Sequence, residues 1–130
     1  MTAALALAEW MRRRCEGGAA VEMALLLPAL LLLLLGTMEV GRMAWVQAGL
    51  NYAVDEAARC ASVRPDVCAT PQLTAAYAAA RVVGQTVPSS AFTVSNQPCG
   101  VQVSAQLPFT FILIPLTPSA PVLTAQLCRS

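Results

Sequence analysis

Gly17-Gly18-Ala19-Ala20-Val21-Glu22-Met23 leads directly into Ala24-Leu25-Leu26-Leu27-Pro28-Ala29-Leu30-Leu31-Leu32-Leu33-Leu34-Leu35. The stretch reads as an almost unbroken apolar helix with one carboxylate near its start. Three arginines, Arg12, Arg13 and Arg14, stand just ahead of it. A charge at the centre of a membrane span costs roughly 2.5 to 3.5 kcal/mol on insertion scales. Glu22 therefore reads as a device rather than an accident, and its position five residues after Gly17 makes the stretch more specific than a plain anchor.

Two kinds of membrane segment compete for this run. A secretory signal peptide carries about 7–15 apolar residues followed by a small-residue cleavage site. Residues 23–38 fill the top of that range, and with residues 19–21 they reach the ~20 residues that cross a bilayer. No A-x-A site directly follows the leucines, so a retained helix is expected. The arginines predict a cytoplasmic N-terminus, with everything after about residue 40 on the far side. The chain then divides into a leader, 1–17, a membrane-crossing half-helix, 18–40, and an outer domain, 41–130.

All eight cations are Arg, seven residues are acidic, and His is missing. The usual general base and the commonest zinc ligand are thereby removed. A net charge of +1 leaves no nucleic-acid footprint. Ser89 and Ser90 have no His partner, and the outer carboxylates form no evident pair, so neither an enzyme nor a cofactor is expected. Of the five cysteines, Cys15 falls on the cytoplasmic side and Cys60, Cys68, Cys99 and Cys128 on the other. An even number in a small outer domain points to disulfides. No pair has the short spacing of a zinc site.

Beyond the leucines the helical pattern continues to about residue 63, with Leu50, Ala53, Val54, Ala57 and Ala61 on one face. Gly17-Gly18 is expected to break any helix before it, and Pro28 to bend the span. Asp55 and Arg59 stand i,i+4 in the favourable order. Glu39 and Arg42 read as a plain interfacial pair. Pro65-Asp66 ends the helix. Thr70 reads as the N-cap of a second helix with Pro71 at its first position, and Leu73, Tyr77, Ala80 and Gly84 share a face.

The period then changes to two. Phe92-Thr93-Val94-Ser95 alternates, a turn covers residues 96–100, and Val101, Val103, Ala105 and Leu107 mark a half-buried strand. Residues 122–128 read as a last strand. The fold class is α+β: a long helix, a short helix and a small antiparallel sheet. Four outer cysteines allow three pairings. Cys60–Cys68 closes a short loop between the helices. Cys99–Cys128 follows if the last strand returns antiparallel beside residues 101–107. The uncharged segment Phe109-Thr110-Phe111-Ile112-Leu113-Ile114 is an aggregation hazard if left bare. It packs as core, or it meets a partner subunit or the membrane surface, with Phe109, Phe111 and Ile112 as the candidate partner surface.

Gly17 with Glu22, the leucine run, Met38-Glu39-Val40-Gly41-Arg42, and Asn51-Tyr52-Ala53-Val54-Asp55-Glu56-Ala57-Ala58-Arg59 together resemble the TadE-like family. These are minor pilins, or pseudopilins, of the tight-adherence system that builds Flp-type type IV pili. The resemblance covers residues 12–64 by motif and the remainder by pattern. It implies a bacterial inner-membrane protein cut after Gly17 by a prepilin peptidase, leaving Gly18 as the new N-terminus. Met23 stands where the class often carries an aromatic. The resemblance further implies that Glu22 pairs with the freed amine within a subunit or between neighbours. The implied partners are the peptidase, other minor or major pilins, and the Tad assembly platform in the inner membrane. A rival reading keeps the chain uncut, as a membrane-tethered binding module that uses the apolar segment 109–114.

Overall fold

A computed structural model of the chain describes residues 2–113 and 119–130, with residues 2–17 described by their backbone. In chain order the elements are α1 (Thr2–Val63), α2 (Pro71–Arg81), one 3-10 turn (Ser89–Ala91), β1 (Phe92–Gln97), β2 (Gly100–Pro108) and β3 (Val122–Arg129). The strands form one antiparallel sheet in the order β1-β2-β3. This is the expected α+β architecture. The chain divides into two compact units, Met1–Met38 and Glu39–Ser130.

The first unit is helix alone. Its apolar side chains stand outward: Leu25 is 73% exposed, and Met23, Leu26, Leu32 and Leu33 are each exposed by 60% or more. A lone helix that is apolar all round has no core of its own and needs an apolar surrounding. By length and composition this helix is suited to cross a membrane. It runs unbroken through Gly17-Gly18, contrary to the expected break. A helical glycine costs only about 1 kcal/mol relative to Ala, and the flanking Arg, Ala, Met and Leu residues are strong helix formers. Pro28 also lies inside α1.

In the second unit the outer part of α1 buries Val46, Leu50, Ala53, Val54, Ala57 and Ala58. They join Ala75, Ala78 and Val82 from the α2 region, and Phe92, Val103, Ala105, Leu123 and Ala125 from the sheet, in one apolar cluster. Register puts the sheet residues on a common face: Phe92 opposes Ala105, which opposes Ala125, and Leu107 opposes Leu123. The Thr70 hydroxyl accepts the N–H of Leu73 at 3.2 Å and caps α2, with Pro71 at its start. The buried face of α2 is Thr74, Ala75 and Ala78, rather than Leu73, Tyr77, Ala80 and Gly84. Just past α2 the chain runs against α1: a Cβ on Gly49 would sit 3.6 Å from the Val83 carbonyl. Asp55 pairs with Arg129 on β3 at 3.4 Å instead of with Arg59. The Gln47 amide donates to the Thr124 carbonyl at 2.8 Å, a second polar tie between helix and sheet.

Candidate functional site

The residues singled out from the sequence fall into three places. At the N-terminal end, Arg12, Arg13, Arg14 and Gly17 are described by backbone only, as helix. Gly18 is exposed, and a Cβ there would meet nothing within 4 Å. Glu22 is also exposed, and among the described residues it forms no ion pair. It lies far from the start of α1 at Thr2. A favourable helix dipole acts only within the first turn or so, and Glu22 lies well beyond the first turn of α1.

The cysteines form the second place. Cys60 is bonded to Cys68, with Cα atoms 5.9 Å apart, and Cys99 to Cys128, with Cα atoms 6.1 Å apart. The structure thus brings together both pairs named from the sequence. The first bridge locks the turn at the end of α1, where the Arg64 N–H donates to the Cys60 carbonyl and the Cys68 N–H donates to the Arg64 carbonyl. The second ties the β1–β2 turn to the end of β3. Gly100 makes that approach possible: its φ is +117°, and a Cβ there would lie 2.2 Å from the Arg129 carbonyl oxygen.

The third place is one the sequence reading passed over. Glu39 is not an interfacial surface residue: it is 1% exposed. Its Oε1 accepts the N–H of Ile112 at 2.7 Å and of Leu113 at 2.6 Å. Its Oε2 accepts the Arg42 Nε and Nη2 at 3.1 and 3.0 Å. Four donors converge on one carboxylate, which is what a buried carboxylate needs to remain charged. Arg42 also donates to the Thr110 carbonyl, and its guanidinium lies 4.2 Å from the centre of the Phe109 ring. Two side chains one turn apart on α1 thus clamp the segment that follows β2. A signal for this was present. Counting back along α1 from Leu50 and Val46 by alternating fours and threes gives Met43 and then Glu39, the same stripe that is buried further on.

The clamp divides the apolar segment. Phe109 is 3% exposed, packs edge-to-face on Phe111 at 5.4 Å, and belongs to the core. It therefore leaves the candidate partner surface, because the inward course of the chain after β2 carries its ring under Arg42. Phe111 is half-buried, whereas Ile112 is 74% and Leu113 50% exposed. Ile114 lies outside the described residues. Elsewhere on this unit, the Arg64 Nη2 donates to the Tyr77 hydroxyl at 2.6 Å, and the Arg81 guanidinium lies 4.7 Å from the centre of the Tyr77 ring. Neither cluster sets a nucleophile beside a base.

A family model described as TadE-like protein matches residues 17–59. That span begins at Gly17 and takes in Glu22, the leucine run, Glu39, Arg42 and the buried stripe of the outer helix, and it bears out the family resemblance drawn from those residues. No curated protein and no solved structure matches the chain. The matched family is one associated with the Tad pilus machinery and is not a family of enzymes.

Proposed function

We propose that the chain is a minor pilin, or pseudopilin, that supports assembly or initiation of a Tad-type type IV pilus. In this reading α1 crosses the bacterial inner membrane to about residue 40, with the arginines on the cytoplasmic side and residues 41–130 outside. A prepilin peptidase cuts after Gly17, and the processed subunit joins other pilins or the assembly platform. The observation that carries the reading is the family match, which starts at the proposed cut and runs through Glu22 into the outer helix. The structure adds a physical reason for the glycine pair. The proposed cut lies inside a helix, and a peptidase needs extended backbone. Two adjacent glycines lower helix stability by about 1 kcal/mol each relative to Ala, so they weaken α1 locally at the proposed cut.

Cleavage there changes the standing of Glu22. It moves from mid-helix to the first turn or so, beside a new ammonium, where a negative charge is favoured. The two charges can neutralise each other within a subunit or between packed neighbours. The test is Glu22→Ala in a piliated strain, with membrane level and pilus yield measured together. The variant is expected to insert at least as well as the wild type, because a costly charge has left the span, and to lose piliation. Normal piliation at a normal membrane level would mean the carboxylate is incidental.

A further inference from the structure

We propose that residues 109–113 form a membrane-seating loop whose tip, Ile112 and Leu113, rests its side chains in the outward-facing surface of the bilayer beside α1. This rests on the reading of α1 as membrane-crossing to about residue 40. The hydrogen bonds from Ile112 and Leu113 to Glu39 fix the height of the tip along the helix. Glu39 lies at the position along the sequence where the proposed span ends, about residue 40, so the tip is tied to the residue that would emerge at the outer surface. The tip side chains are largely bare, at 74% and 50% exposed, and the neighbouring Val40 is 49% exposed.

The clamp also deals with the polarity of the loop. Irregular backbone next to hydrocarbon is tolerated only when its N–H and C=O groups have partners. The N–H groups of Ile112 and Leu113, the two residues with bare apolar side chains, are the ones Glu39 satisfies, and Arg42 satisfies the Thr110 carbonyl. Residues 109–113 contain no charge. Trp45, 65% exposed, follows Glu39 by six residues, about 9 Å at 1.5 Å per residue. That distance reaches the headgroup layer, where tryptophan is enriched. A protein partner would also cover the tip, but only after assembly. Lipid is at this height from the moment the helix inserts.

The test uses the full chain with Cys15→Ser, oxidised and reconstituted in vesicles of phosphatidylethanolamine and phosphatidylglycerol that carry doxyl-labelled lipid. An environment-sensitive fluorophore is placed singly through Ile112→Cys, with Leu113→Cys as a second probe position and Leu30→Cys and Thr93→Cys as references. The expected result is lipid quenching at 112 and 113 several-fold above that at 93, with a blue-shifted emission and a shallower depth than at 30. If 30 is quenched but 112 and 113 match 93, the helix spans and the seating loop is wrong. If 30 is not quenched either, the membrane reading itself fails and takes the loop with it. An emission shift at 112 that follows protein density rather than doxyl lipid would assign the tip to a second copy of the chain and overturn the lipid assignment.

Discussion

The carboxylate of Glu39 accepts the N–H of Leu113 at 2.6 Å across 74 residues of sequence. A buried charge at the start of the outer unit thus holds a loop that lies between the last two strands. Removing one partner from such a buried arrangement leaves the others unsatisfied. Glu39→Ala leaves two backbone N–H groups without their acceptor and takes the carboxylate from Arg42, which keeps its bond to the Thr110 carbonyl. Glu39→Gln retains a single carbonyl acceptor. Limited proteolysis of the full chain in detergent should therefore cut residues 109–121 fastest in Glu39→Ala, more slowly in Glu39→Gln and slowest in the wild type, with Tm falling in the same order. Equal protection in all three would mean that the clamp does not hold the loop.

The apolar segment should respond in two ways. Phe109 is core, so Phe109→Ala should lower stability by about 3 kcal/mol or more. Ile112 is 74% exposed, so the uncharged truncation Ile112→Ala should cost clearly less than Phe109→Ala. Denaturant unfolding of the full chain in micelles measures both. A loss for Ile112→Ala as large as that for Phe109→Ala would return the tip to the core.

The bridges should contribute unequally. Chain-entropy arithmetic gives about 2.6 kcal/mol for the loop closed by Cys60–Cys68 and about 3.6 kcal/mol for that closed by Cys99–Cys128, as model-dependent upper values. Double Cys→Ser variants, compared by Tm, should rank in that order. Non-reducing peptide mapping should return both pairs, and a Cys68–Cys99 peptide would contradict the β2–β3 register.

Two glycines separate turn geometry from motif. Gly100 has φ +117° and no room for a Cβ, so Gly100→Ala should cost more than about 1 kcal/mol and impair formation of the Cys99–Cys128 bridge. A Cβ on Gly41 would meet nothing within 4 Å, so Gly41→Ala should leave the outer unit as stable as wild type or slightly more so. A piliation defect in Gly41→Ala without loss of Tm would place that glycine at a contact between subunits.

Much of this fold is set by local pattern. The Thr70-Pro71 cap, the alternation over residues 101–107 and the long helix were legible because each signal lies within a few residues of its consequence. The Cys60–Cys68 pairing followed from the short loop between the helices, and Cys99–Cys128 from strand order. What was missed depends on distant partners. Asp55 finds Arg129 rather than Arg59 because the end of β3 comes alongside the helix. The buried face of α2 proved to be Thr74, Ala75 and Ala78, a choice set by tertiary packing rather than by the pattern of α2 alone. The burial of Glu39 was missed because its two backbone donors lie more than seventy residues away. A carboxylate next to an arginine at i,i+3 looks like a surface pair until the apolar stripe of α1 is extended back through it. The helical course of Gly17-Gly18 shows that glycine biases a helix without ending it when strong helix formers flank it.

Processing ahead of Glu22 is the central claim, and the mature N-terminus tests it most directly. The chain is to be purified from membranes of cells with and without a functional prepilin peptidase, and its first residue read by N-terminal sequencing and intact mass. Gly18 is expected as the first residue in the presence of the peptidase and the uncut chain in its absence, with Gly17→Leu uncut in both. A chain that retains Met1 and residues 1–17 in cells with an active peptidase would contradict the claim.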